Sequence, residues 1–153
     1  LLQAADDDSV GRHLQQALLQ SAALQLGAAY RFFLAEIGAA YQCKNPAEIS
    51  ELSILLTLLQ AQGKSPSETT EIGNLDQQPS SWLGQLQSCC NAIESLPQPN
   101  GNGSNPVTDV NRIAVYVTSE AEDWSLLTND QLRQWLGSFS ELIERHRQSM
   151  VEW

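Results

Sequence analysis

Apolar and polar positions alternate with a helical period through most of the chain, and the longest uninterrupted pattern spans residues 9–42. At about 100° per residue, Leu14, Leu18, Ala22, Leu26, Ala29, Phe33, Ile37 and Ala40 fall on one broad face of a predicted helix. Leu19, Tyr30 and Tyr41 widen that face on one side and Phe32 on the other, while His13, Gln16, Gln20, Arg31 and Gln42 share a narrow opposite strip. An apolar sector this wide needs several covering partners. The expected architecture therefore wraps the remaining helices around this one. Gly27 and Gly38 fall on its polar side in this reading and lower helix propensity, which allows a break or bend near Gly27.

The Asn45-Pro46-Ala47-Glu48 sequence has the form of a helix start, with a capping residue, proline in the first turn and Glu closing the box. It predicts a second helix up to about Gln62, with Ile49, Leu52, Leu56 and Leu59 as its main stripe. Ile54, Leu55 and Leu58 widen the stripe beyond what one core face covers, so either the short segment after Ser65 covers them or they form a candidate interface with a second copy of the chain. Ser65-Pro66-Ser67-Glu68 repeats the start signal before a short, mostly polar helix or a few turns. A third main helix is expected over residues 79–96, striped by Trp82, Leu83, Leu86, Cys89, Cys90, Ile93 and Leu96. Residues 97–106 have the composition of a flexible loop, and residues 107–118, with their IAVYVT run, predict one extended segment. A capping box at residues 128–131 then opens a last helix to the C-terminus, striped by Leu132, Trp135, Leu136, Phe139, Leu142, Ile143, His146, Met150 and Trp153. The expectation is one all-α domain over residues 1–153, a four-helix bundle with a long N-terminal helix.

Composition narrows the function classes. Eight Lys plus Arg stand against eighteen Asp plus Glu, a net charge of −10, and a field of that sign repels nucleic-acid backbones and anionic membrane surfaces. The most apolar stretch is broken by Gln25, Arg31 and Glu36, so no membrane span is expected. The three cysteines form no CxxC pair, consistent with thiols in a reducing, cytoplasmic setting. The chain opens on Leu1 rather than Met, so some N-terminal residues are expected to be missing, and no leader peptide is visible.

Candidate chemistry is sparse. Glu36 falls within the apolar sector, where a buried carboxylate must find a cation or take up a proton, and Arg112 is the expected partner. The pair reads either as a structural tie or as a carboxylate lining a pocket. In an up-down-up-down bundle the first helix begins where the last one ends, which would gather Arg12, His13, Arg145, His146 and Arg147 near the acidic Asp6-Asp7-Asp8 run. That cluster reads either as helix-end charge compensation or as a His/Arg site for an anion or acid–base work. Neither histidine lies three residues after a glutamate, as a di-iron bundle would require, and no three metal ligands converge in the sequence. No catalytic residue, cofactor site or metal site is expected.

Four stretches together resemble a family of small helical bacterial proteins known only as a domain of unknown function: EIGAAY at residues 36–41, SWL at residues 81–83, NRIAV at residues 111–115, and LIERHRQSMVEW from Leu142. The resemblance implies an all-helical fold and a bacterial cytoplasmic setting, and it carries over no catalytic residue. The preferred function is a non-enzymatic interaction or scaffold protein that forms a homodimer. The alternative is a small-ligand binder or enzyme built on Glu36 or on the His/Arg cluster.

Overall fold

The computed structural model describes residues 2–95 and 127–151, and among them the fold is all-α with no strand. Five α-helices appear instead of four: α1 (Leu2–Ala40), α2 (Leu52–Ala61), α3 (Ser67–Gln77), α4 (Trp82–Glu94) and α5 (Asn129–Val151). The predicted loop at 97–106 and extended segment at 107–118 lie outside the described residues, as does Arg112.

Helix α1 runs unbroken through Gly27, so the break allowed there does not form. It ends in a Schellman turn. Gln42 takes the left-handed conformation (φ 57°), its N–H donating to Ala39, while the Cys43 N–H donates back to Gly38 at 2.8 Å. The same turn, built on Gly63, closes α2: the Gly63 N–H donates to Gln60 and the Lys64 N–H to Leu59. Lys64 then reaches across, its Nζ donating to the Tyr41 carbonyl at 2.9 Å, so the two helix ends are tied together.

The second predicted helix is broken. Residues Pro46–Glu48 make only a 3₁₀ turn, entered through a left-handed Asn45, and Glu51 is extended before α2 begins. Contact with α1 explains the break. Gly38 is buried, and a side chain there would run into Ile49, so the chain is pressed onto α1 and cannot continue as one straight helix. The resulting shift rotates α2: Leu52, Leu55 and Leu59 are buried, while Leu56 turns outward.

The core draws on every helix. From α1 come Ala23, Leu26, Tyr30, Phe33, Leu34 and Ile37, spaced three and four apart. The predicted face was wider and centred elsewhere, because Leu14, Leu18, Ala22, Ala29 and Ala40 are exposed. Opposite α1, α4 supplies Leu83, Leu86 and Cys89, and α5 supplies Leu132, Trp135, Phe139 and Leu142. Aromatic edges join the helices: Phe139 meets Tyr30 at 6.4 Å, Phe33 at 5.8 Å and Trp82 at 5.8 Å between centroids. The Trp135 Nε1–H donates to Gln85 on α4 at 3.2 Å.

Candidate functional site

Local sequence places four helices around one concave region. The Ser81 side chain accepts the Gly84 N–H at 2.9 Å and starts α4. That aligns Gln87, Cys90 and Glu94 beside α1. At Gly27 a Cβ would stand 2.9 Å from the Cys90 Sγ, and this close approach keeps α1 and α4 together there. The glycine faces α4, not the polar strip that the helical wheel assigned to it.

Between these helices, the start of α2 and the end of α3 lies a cavity of about 510 Å³, which Tyr30, Arg31, Glu51, Asp76, Gln87 and Glu94 help to line. Tyr30 is 5% exposed, and its hydroxyl is buried with no hydrogen-bond partner among the described residues. Leaving such a group unsatisfied costs about 1–3 kcal/mol, so its presence calls for a physical reason. Burial raises the Tyr30 pKa well above its ordinary value, and the nearby Asp76 carboxylate raises it further, so the hydroxyl keeps its proton. Asp76 is held by Gln87, whose Nε2 donates to Oδ1 at 2.8 Å. Burial also pushes the neighbouring Cys89 thiol up to about 11, with Cys90 adding to the shift. Both thiols are protonated at neutral pH, which suits structural cysteines better than nucleophiles.

A second cavity of about 200 Å³ borders Phe33, Glu71, Ile72, Arg145 and His146. His146 is buried and stands edge-on to Phe33, with ring centroids 5.3 Å apart. Arg145 meets Glu71 on α3 at 2.6 Å at the rim.

The residues singled out from sequence are redistributed. Glu36 is about two-fifths exposed rather than buried, and it pairs with Arg147 of α5 through two bonds of 3.0 and 3.1 Å. This bond raises the Arg147 pKa, and the partner is not the Arg112 expected from sequence. The expected His13–Arg145–His146 cluster does not form. Contacts advance together along α1 and α5, from Tyr30 with Phe139 to Glu36 with Arg147, so the two helices run in the same sense. His13 is twenty residues before Phe33, about 30 Å along α1, and it is exposed. Of the candidate interface, Leu55 is fully buried and Leu58 packs against the core. Ile54 alone of the three is exposed.

Sequence reasoning passed over Tyr30 and Asp76. The signal was present for Tyr30, a polar tip on the most apolar face of α1. Asp76 lies in the segment read as a few turns, where no face was assigned. Among the described residues no group of three His, Cys, Asp or Glu side chains could hold a metal ion, and no helix is long and apolar enough to cross a membrane.

Over residues 1–153 the chain matches a family of unknown function, DUF6586. No curated protein and no solved structure matches it.

Proposed function

Since the chain belongs to that family of unknown function, no relative supplies an activity, and we propose from the geometry that it is a non-enzymatic interaction protein that self-associates through the outer side of α1. The observation that carries this reading is the contrast between that helix's length and its burial. At 39 residues α1 is about 58 Å long, yet none of the residues from Gly11 to Ala22 is buried. Leu14 and Leu18 are 60% and 63% exposed, and Phe32, farther along, is 76% exposed. Helices in proteins draw most of their stability from tertiary packing, and large apolar side chains left outward mark contact surfaces.

Leu14, Leu18, Ser21, Gln25, Ala28 and Phe32 are spaced alternately four and three apart, the 3.5-residue period of a helix-pairing seam. The seam lies on the far side of α1 from Ala23 and Tyr30. A second copy running antiparallel sets Leu14 against Phe32, Leu18 against Ala28 and Ser21 against Gln25, so large residues meet small or flat ones and the polar pair lies at the centre. A parallel pair would instead bring two Asp6-Asp7-Asp8 runs together, and like charges that close repel. The proposed setting is the bacterial cytoplasm, supported by the family resemblance and by Cys43, Cys89 and Cys90 remaining thiols.

Sedimentation at several concentrations tests this reading. The wild-type chain is expected to shift from monomer to dimer mass, and Leu14→Glu with Leu18→Glu to stay monomeric with unchanged helical content. Ile54→Glu, on α2, is expected to leave the dimer intact. A wild-type chain that stays monomeric overturns the proposal, as does a dimer that survives the α1 substitutions.

A further inference from the structure

We infer that the cavity between α1, α2, α3 and α4 is a binding site for an elongated organic cation carrying an ammonium group at each end. Its volume of about 510 Å³ is that of a small-molecule site. Tyr30 helps to line it, and its hydroxyl is buried and lacks a hydrogen-bond partner among the described residues. Three carboxylates line it, Glu51, Asp76 and Glu94, against the single guanidinium of Arg31, so the lining favours positive charge.

The spacing of these groups selects the kind of cation. A divalent metal ion needs oxygen ligands converging within about 2.6 Å of one point, and no such convergence exists among the described residues. The acids are instead spread along the cavity. Gln87 holds Asp76 at one end, and Glu94 follows Gln87 by seven residues, two helical turns or about 10 Å along α4. A linear diamine or triamine spans such a length. At the Asp76 end an ammonium has three donors and no acceptor: one bond goes to the carboxylate and one to the Tyr30 oxygen, which gains the partner it lacks. The second ammonium is drawn to Glu94 and Glu51, with Arg31 offsetting one of the two. An anion meets the reverse field. This site does not depend on self-association through α1.

Calorimetric titration of the full chain with spermidine, a linear triamine, at low ionic strength tests the assignment, with 1-aminobutane as the one-ended control. We expect saturable one-to-one binding of spermidine and at least tenfold weaker binding of 1-aminobutane. Asp76→Asn is expected to weaken spermidine about tenfold, the scale of one lost charge-assisted hydrogen bond. Tyr30→Phe keeps the ring and removes only the hydroxyl, and it should weaken binding about threefold while the unliganded chain stays folded. Glu141→Gln removes one negative charge from the exposed surface of α5 and should leave affinity unchanged. Absence of binding overturns the proposal. So does equal weakening by Glu141→Gln and Asp76→Asn, which would mean attraction to the chain's net charge alone, and so does equal affinity for the one-ended amine.

Discussion

The two halves of α1 both carry Leu and Ala at helical spacing, yet they are opposite in environment. Before Ala23 the helix is rich in Leu and Ala, yet Leu14 and Leu18 face outward. After it, Ala23, Leu26, Tyr30, Phe33, Leu34 and Ile37 are sealed by α2, α4 and α5. Apolar content is the same kind of signal in both halves. What differs is whether another helix is there to receive it. The other helices reach only so far: α5, at 23 residues, is about 35 Å long, well short of α1. Hydrophobic free energy follows the area removed from water, so equal side chains contribute unequally in the two halves.

Substitution at matched positions gives the largest test of that contrast. Leu34→Ala removes a side chain with no exposure and should destabilise the chain by about 2–5 kcal/mol. Leu14→Ala, measured by urea unfolding at concentrations where the chain is monomeric, should move stability by no more than about 0.5 kcal/mol. Equal effects would erase the difference between the halves.

Glycines sharpen the same comparison at a smaller scale. Gly38→Ala drives a Cβ into Ile49 in the packed half and should cost about 1–3 kcal/mol. Gly11→Ala meets nothing within 4 Å in the exposed half, and better helix propensity should raise stability by about 0.5–1 kcal/mol. Thermal melts of the two variants should therefore move in opposite directions.

Alkaline pH should then act on the side chains packed around the second half of α1. Cys89 holds its proton up to about 11 when folded, against an ordinary thiol value of about 8.5 in the unfolded chain. The unfolded chain therefore releases protons first, and stability, fully present below that ordinary value, falls as pH rises toward 11. Tyr30 adds to the loss with the same sign. A melting temperature that stays level from pH 8 to 11 would contradict this burial. The smallest effect belongs to Glu36→Gln. Its partner Arg147 lies on the surface, where solvent screens the pair, so the unfolding midpoint should move no further than in a control substitution. A large shift would restore the sequence expectation of a buried carboxylate.

Much of the local structure was legible from residue order. Helix type follows from the 3.6-residue period, and the starts and stops follow from chemistry that acts within a few residues: Ser81 capping α4, Thr128 accepting the Gln131 N–H ahead of α5, and Gly63 ending α2. The failures lie where distant contacts intervene. Asn45 to Glu48 carries a complete start signal, but it yields a single 3₁₀ turn because Ile49 is pressed against Gly38. Glu36 was assigned inward because the helical wheel averaged over a whole helix whose apolar surface is covered on only one side and over only part of its length.

Residue order by itself determined that this chain is helical and acidic, since both depend on neighbours in sequence or on composition. Tertiary structure alone decided which side of α1 is core, that α5 runs with α1 and so separates His13 from His146, and that Tyr30 shares a cavity with Asp76 and Glu94. The physical reason is that periodicity specifies a face only relative to its own helix axis. Direction, rotation and contact are set when several helices bury their surfaces together, and no single segment carries that information.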